Sequence, residues 1–140
     1  MKYDDASWHY GGDFPPDLPR EAGATHIAKF VAWAVLNGLA GDYHKVDSVK
    51  QSAQLRAREI TPGAWFVQTC DGKFTDEDLS EEGNRFAVAY YDSGSSYSLD
   101  YSNAFPNVSS LNHVDDSWTS FDTIAPVLAE RLRAWRVKPQ

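Results

Sequence analysis

The chain has 140 residues, a formal net charge of −7, 42% hydrophobic residues and five tryptophans. This composition excludes a disordered chain, and the length is that of one domain whose core needs no metal or disulfide staples. The negative charge disfavours nucleic-acid binding, because contacts to phosphates require Lys and Arg.

Residues 1–20 are predicted to form an irregular arm packed on the body of the domain. Gly11-Gly12, Pro15-Pro16 and Pro19 interrupt any helix or strand there. Acids stand near its start, where a secretory signal requires a basic end followed by an apolar run. We therefore expect no signal segment.

Three helices are predicted between residues 25 and 70. Thr25 to Asn37 is apolar on almost every side, which is typical of a central helix packed by neighbours all round. Thr61-Pro62 predicts the N-cap and first residue of a helix that ends at Cys70. Between them, apolar residues recur every three or four positions, which predicts an amphipathic helix with this face buried. They are Tyr43, Val46, Val49, Ala53, Ala57 and Ile60.

Thr75 and Asp78 have the spacing of a capping box, which predicts a fourth helix that runs on through Tyr90. Residues 96–105 remain ambiguous. Tyr97, Tyr101 and Phe105 fit a helix, whereas Tyr97, Leu99 and Tyr101 fit a strand.

A final helix is predicted from Trp118 to Trp135, with Pro126 producing a kink or a late start. Its C-terminal end is basic, which suits the helix dipole. We therefore predict a mainly α single domain over residues 1–140, a bundle of about five helices with an irregular N-terminal arm. The most apolar segment, Ile27 to Leu36, is too short to cross a bilayer. We expect no membrane contact and, given the single cysteine, a cytoplasmic location.

Metal and nucleophile signatures do not occur at local spacings in the sequence. The four histidines form no pair at i,i+4, and an EF-hand starting at Asp71 would place Lys73 where an acid or amide is needed. We therefore expect no metal ion and no cofactor. Cys70 would act as a nucleophile only if a distant histidine approached it, and otherwise resembles a small buried hydrophobe.

His9 is the histidine with the most acids close to it in sequence. Asp4, Asp5 and Asp13 surround it, and these residue types suit acid–base chemistry or a metal site. Carboxylates in an irregular arm also cap loose backbone N–H groups. Both interpretations remain open. His26, near the start of the apolar helix, is predicted to be a satisfied core or cap residue.

The negative charge is concentrated in residues 71–122, which hold eleven of the twenty acids and only two bases. Such a surface attracts a basic protein at long range. Tyrosines in the same stretch offer apolar area and a hydrogen-bonding tip, as residues at protein interfaces often do. We predict that a basic partner binds Asp71, Asp76, Glu77, Asp78, Glu81, Glu82, Tyr91, Asp92, Tyr97, Asp100 and Tyr101.

Four segments carry a resemblance to a known family: residues 1–15 (MKYDDASWHYGGDFP), 21–27 (EAGATHI), 58–63 (REITPG) and 71–79 (DGKFTDEDL). The likeness ends near Asp116. In these segments the chain resembles an uncharacterised family of small acidic bacterial cytoplasmic proteins, a domain of unknown function. The resemblance implies an association with bacterial self-protection loci, where small acidic proteins neutralise toxins.

Three functions follow as hypotheses. The first is a cytoplasmic immunity-type protein that binds and blocks a cognate bacterial toxin through its acidic surface. The second is a small enzyme with a His/Asp site in the N-terminal arm. The third is an adaptor whose basic C-terminal helix end contacts another subunit. An enzyme requires its polar side chains to converge in a concave pocket, whereas a toxin inhibitor requires an exposed acidic face.

Overall fold

A computed structural model describes residues 1–11, 14–92 and 96–138. The protein is mainly α-helical, as predicted, and the described residues contain one small two-stranded sheet. The α-helices are α1 (Thr25–Leu36), α2 (Val49–Arg56), α3 (Pro62–Cys70), α4 (Glu81–Ala87), α5 (Ser96–Ala104) and α6 (Trp118–Val137). The strands are β1 (Lys2–Asp5) and β2 (Lys73–Thr75). Short 3₁₀-helical turns occupy Ala6–His9, Arg20–Ala24, Asp76–Asp78 and Leu111–His113, and π-helical turns occupy Tyr43–Asp47 and Val88–Asp92.

The start of the chain is a strand, so the prediction of an irregular arm is wrong for β1. β1 pairs antiparallel with β2, with Asp4 opposite Phe74 and Asp5 opposite Lys73. The partner strand lies some 70 residues away, and a ladder of that kind leaves no local pattern in so short a segment. The pairing fixes Asp4 beside the core.

Helix α1 is the centre of the molecule, as its all-round apolar pattern predicted. Every residue from Thr25 to Val35 is buried, and α1 packs against α3 and α6. Lys29 lies among these apolar residues, where its Nζ donates to Tyr101 Oη (3.2 Å) and to the carbonyl oxygen of Asp115 (3.0 Å). Burial lowers the pKa of Lys29 to about 8, although Asp116 and Asp115 oppose the shift.

The predicted second helix is divided into two parts. A π-helical turn (Tyr43–Asp47) precedes α2, and the Ser48 N–H donates to the Tyr43 carbonyl five residues back at 2.8 Å. This bonding adds a residue to the turn and changes which side chains face inward. His44 therefore points into the protein, whereas Tyr43, Val46 and Val49 are 37%, 67% and 53% exposed. Ala53 and Ala57 are exposed too, so the prediction of a buried face is wrong for five of its six residues, and Ile60 is partly buried.

The predicted capping residues Thr61 and Thr75 act as N-caps. Thr61 accepts a hydrogen bond from the Ala64 N–H at the start of α3, with Pro62 in the first position. Thr75 and Asp78 form the capping box, although it opens only the short 3₁₀ turn Asp76–Asp78. Helix α4 starts later, with Ser80 as its N-cap.

The ambiguous segment forms helix α5. Helix α6 begins at Trp118 under a Ser117 N-cap and continues through Pro126, so Pro126 does not delay its start. The arginines at its end pair with acids of the same chain: Arg131 with Asp100, Arg133 with Glu130 and Arg136 with Glu82. No helix within the described ranges combines the length and the apolar character that a membrane span requires.

Candidate functional site

A polar pocket forms where β1 meets the start of α1. It encloses about 240 Å³ and is lined by Asp4, His9, His26 and Tyr91, among others. His9 Nε2 lies 2.9 Å from Asp4 Oδ1, and the Tyr91 hydroxyl donates to Asp4 Oδ2 at 2.6 Å. His26 Nε2 lies 3.8 Å from Asp4 Oδ2, beyond hydrogen-bonding distance. The N-terminal segment and helix α1 thus bring two imidazoles and one carboxylate together.

The protonation states in this pocket follow from burial. Burial alone would raise the pKa of Asp4, but hydrogen bonds from His9 and Tyr91 outweigh it and hold that pKa below its ordinary value. Burial, reinforced by the neighbouring His9, lowers the pKa of His26 to about 3. Asp4 is therefore an anion and His26 a neutral ring near pH 7. The His9 side chain is 31% exposed, so it faces both Asp4 and solvent.

The structure separates the acids that surround His9 in sequence. Asp4 joins His9, whereas Asp5 accepts from the Ser7 N–H at 2.9 Å and pairs with Lys2 at 2.8 Å. Asp5 is therefore a cap, and burial, which would raise its pKa, is outweighed by these bonds so that the pKa falls to about 2. Asp13 lies outside the described residues. His26 is buried as predicted, but its Nδ1 has no hydrogen-bond partner among the described residues.

A second cluster lies in the protein interior and consists of His44, Cys70 and Asp78. His44 Nε2 is 2.8 Å from Asp78 Oδ1, and Cys70 Sγ lies 3.9 Å from that nitrogen and 3.6 Å from that oxygen. His44 and Asp78 are buried, and Cys70 is partly so. In each of the two clusters, one ligand atom per residue lies within 4.8 Å of the others, so each set can hold a metal ion. Sequence reasoning named Asp4 and His9 of the first cluster but not His26, and it missed the second cluster entirely.

Cys70 is thus approached by a distant histidine, the condition under which it would act as a nucleophile. The geometry does not match that role, because Nε2 of His44 faces both Asp78 and Cys70. A nucleophilic relay requires the carboxylate and the thiol on opposite ring nitrogens. Burial raises the pKa of the Cys70 thiol, and Asp78 raises it further.

The acids of residues 71–82 divide between surface and interior. Asp71, Asp76, Glu77 and Glu81 are exposed and Glu82 is half-buried; these five are called the acidic face. Four of them form exposed ion pairs. The pairs join Asp71 to Lys73, Asp76 to the N-terminal amine, Glu81 to Arg85 and Glu82 to Arg136. Exposed pairs of this kind contribute little to stability, so they leave these carboxylates available to a partner.

Four predicted partner-binding residues are buried, which corrects their assignment to an exposed surface. Asp78 belongs to the interior cluster, and Asp100 accepts a two-pronged bond from Arg131 (2.8 and 2.9 Å). Tyr97 and Tyr101 pack in the core, with the Tyr97 hydroxyl donating to the His26 carbonyl. Their apolar rings supply core volume. Two others lie in or beside the polar pocket: Tyr91, which is partly buried, and Asp92, which is exposed.

A sequence profile of the DUF7832 family, described as a domain of unknown function, matches residues 2–114 of the chain. The chain belongs to the DUF7832 family. No curated protein and no solved structure matches it. The expected resemblance to a family of unknown function is confirmed. Both histidine clusters and the acidic face of this DUF7832 chain lie within the matched residues, whereas α6 follows them.

The DUF7832 chain also exposes apolar side chains next to its acidic face. Tyr43 reaches across to α3, where its hydroxyl donates to the Thr69 carbonyl at 2.8 Å. The turn that carries Tyr43 packs against the turn Asp76–Asp78. Val46 in the same turn and Val49 at the start of α2 are also exposed, and together with Tyr43 they are called the apolar patch. Their three-residue spacing was visible in the sequence but predicted a buried face.

Proposed function

We propose that the chain is a binding protein that engages a basic protein partner through its acidic face. The observation that carries the proposal is the exposure of Asp71, Asp76, Glu77 and Glu81 on adjoining segments of one region. Opposite charges steer a partner over a distance of about 10 Å at moderate salt and raise the rate of association. The ion pairs within the face are exposed, so a partner's Lys or Arg exchanges with them at little cost.

The apolar patch of Tyr43, Val46 and Val49 supplies what the acidic face lacks. Charges at a rim govern the association rate, whereas affinity comes mainly from desolvated apolar or aromatic anchors. Tyr43 is held in place by its bond to the Thr69 carbonyl and therefore loses little freedom on binding. It takes the anchoring role that was predicted for Tyr97 and Tyr101.

The partner class that we propose is a bacterial toxin, which makes the chain an immunity-type protein of the cytoplasm. The concentration of charge supports a basic partner, and the free cysteine suits a reducing compartment. The choice of a toxin as the basic partner follows the expectation drawn from the family resemblance. An inhibitor of this kind would act by covering the partner's basic active site or substrate channel.

The test uses a toxin domain encoded beside this gene and three forms of the full chain. One variant carries Asp76→Lys, Glu77→Lys and Glu81→Lys on the acidic face. A matched control carries Glu21→Lys, Glu59→Lys and Glu130→Lys, three exposed acids elsewhere with the same change in net charge. The proposal requires inhibition by the parent and the control but not by the face variant. Equal inhibition by all three would contradict it, as would the lack of any toxin-like neighbour.

A second candidate function rests on the polar pocket. Asp4, His9 and His26 converge in a concavity, as an enzyme requires. Asp4 orients His9, whose exposed ring can pass a proton to and from a bound group, while neutral His26 can donate or accept a hydrogen bond. The volume limits the reacting group to a small polar one. A catalytic activity of the chain that is lost in His9→Gln and kept in His113→Asn would favour this function. An activity that is equal in both variants would contradict it.

A further inference from the structure

The interior cluster of His44, Cys70 and Asp78 is assembled from three separate segments. His44 comes from the π-helical turn, Cys70 from the last residue of α3 and Asp78 from the 3₁₀ turn after β2. The side chains of His44 and Asp78 are 0% and 5% exposed. Placing these groups together in the interior is costly unless something compensates their polarity.

The polar atoms of His44 each face a defined group. Ser48 Oγ lies 3.1 Å from His44 Nδ1 and donates to the Tyr43 carbonyl at 3.1 Å. Nε2 lies 2.8 Å from Asp78 Oδ1. In the tautomer with the ring proton on Nδ1, Ser48 Oγ accepts that proton, and the Nε2 lone pair faces Asp78 Oδ1. A proton or a metal ion between Nε2 and Oδ1 then joins the two atoms.

The second carboxylate oxygen of Asp78 is fixed in a similar way. Asp78 Oδ2 accepts from the Thr75 N–H at 2.9 Å, as part of the capping box. His44 and Asp78 thus each have a hydrogen-bonding partner outside the cluster, Ser48 for His44 and Thr75 for Asp78. These outer partners direct the other ring nitrogen and the other carboxylate oxygen into the cluster. Outer partners of this kind are typical of metal-binding histidines and carboxylates. By comparison, His26 in the polar pocket has no such partner on Nδ1 within residues 1–11, 14–92 and 96–138.

We infer that His44 Nε2, Cys70 Sγ and Asp78 Oδ1 form a binding site for a transition-metal ion of the zinc class. Bonds of about 2.0–2.3 Å in tetrahedral geometry separate neighbouring ligand atoms by roughly 3.3–3.6 Å. The three separations here are 2.8, 3.6 and 3.9 Å, so shifts of a few tenths of an ångström complete the geometry. The site is independent of the acidic face and departs from the expectation of no metal ion.

The ligand set selects the class of ion. A thiolate and an imidazole favour zinc and its neighbours over magnesium and calcium, which prefer oxygen ligands. On binding, the metal–sulfur bond replaces the S–H bond of Cys70, and that proton passes to solvent. Three protein ligands leave a fourth position for water or another small ligand. The ion would also join the three segments that carry its ligands.

The test uses cobalt(II) as the probe on chelator-treated full chain, followed by displacement with zinc. Cys70 is the one cysteine of the chain, so a thiolate-to-cobalt charge-transfer band reports on this cluster alone. We expect one equivalent of cobalt with this band in the parent and in a His9→Gln control, and no band in Cys70→Ser. Ser48→Ala should bind cobalt about 10–100-fold more weakly, because the outer partner of His44 is lost.

Two results of the cobalt titration would contradict the metal site. Cobalt binding without the band in the parent would place the ion elsewhere, and no binding would leave a proton between His44 and Asp78; either result overturns the inference. If Cys70→Ser fails to fold, the parent still decides the matter. Zinc should slow alkylation of Cys70 in the parent and in His9→Gln, and to a lesser degree in Ser48→Ala. If zinc leaves the rate of Cys70 alkylation in the parent unchanged, the metal site is contradicted.

Discussion

His26 shows how one buried ring can make this protein sensitive to acid. The ring lies in the first turn of α1 against Asp4, and its Nδ1 has no partner among the described residues. Burial lowers its pKa from an ordinary value of 6.5 to about 3. In the unfolded chain the ring takes up a proton near pH 6.5, whereas in the folded chain it stays neutral until much lower pH. The folded state therefore loses stability as the pH falls from 6.5 towards 3.

We predict that the titration of His26 lowers the free energy of unfolding by about 2 kcal/mol when the pH falls from 7.5 to 5. Urea denaturation at the two pH values measures this loss. In His26→Leu the difference between the two pH values should shrink by that amount. Leu55→Ala, which destabilises the core without removing a titratable group, should keep the parent's difference. A His26→Leu variant with an unchanged pH dependence would show that this ring does not titrate as argued.

Gly63 is a position where the protein has no room for a side chain. Its N–H donates to Asp116 Oδ1 at 2.8 Å, and Thr61 Oγ1 donates to Asp116 Oδ2 at 2.6 Å. These bonds hold the start of α3 against the loop before α6. A Cβ at Gly63 would lie only 2.5 Å from Asp116 Oδ2.

We predict that Gly63→Ala destabilises the fold by about 1–3 kcal/mol, since Asp116 must move away from both of its donors. Thermal or urea unfolding measures the change. Gly11→Ala is the matched control, because nothing lies within 4 Å of a Cβ placed there. Equal stability of the two alanine variants would mean that the Asp116 contacts do not hold α3 in place.

Among the elements, α1 carries the largest part of the core. Its Phe30 and Trp33 rings pack against each other and against Phe86, with centroid distances near 6 Å. The Trp33 side chain is only 2% exposed. Large aromatic rings at such positions bury the most apolar area per residue.

We predict that Trp33→Ala lowers the unfolding free energy by about 3–5 kcal/mol, because it empties a large volume inside the core. Trp8→Ala serves as the control, since Trp8 is 57% exposed on the N-terminal arm. Chemical denaturation monitored by circular dichroism measures both. If the two variants unfold at the same denaturant concentration, α1 is not the centre of the core.

The elements also show what the sequence could predict. Helices α1, α3 and α6 follow from apolar periodicity and caps, because those signals are local. Helix α5 was undecided, and only burial settles it: Tyr97 and Tyr101 face the core, whereas Leu99 is 62% exposed.

Two elements could not be predicted from the sequence, because they depend on residues or bonds that leave no local pattern. Strand β1 needs β2 as its partner, and the π-helical turn at Tyr43–Asp47 changes which apolar residues are buried. Neither effect leaves a local signal.

At the scale of the whole molecule, the acidic face was predictable because charge is counted along the chain. The exposed carboxylates at 71–82 lie where the sequence placed them. The interior cluster was not predictable, since His44 lies 26 residues from Cys70 and 34 from Asp78 in the sequence. The polar pocket was predictable in part: Asp4 and His9 are five residues apart and were named together, whereas His26 joins them only in the fold. Spacing rules detect ligands within one element, and each cluster joins three.

The association rate with the cognate toxin, measured at about 10 mM and about 1 M salt, tests the proposed function most directly. At low salt the Asp76→Lys, Glu77→Lys, Glu81→Lys variant should associate at least roughly tenfold more slowly than the parent, with most of the difference lost at high salt. The Glu21→Lys, Glu59→Lys, Glu130→Lys control should stay near the parent rate, and circular dichroism should show all three forms folded. A folded face variant that associates at the parent's rate at both salt concentrations would contradict the account.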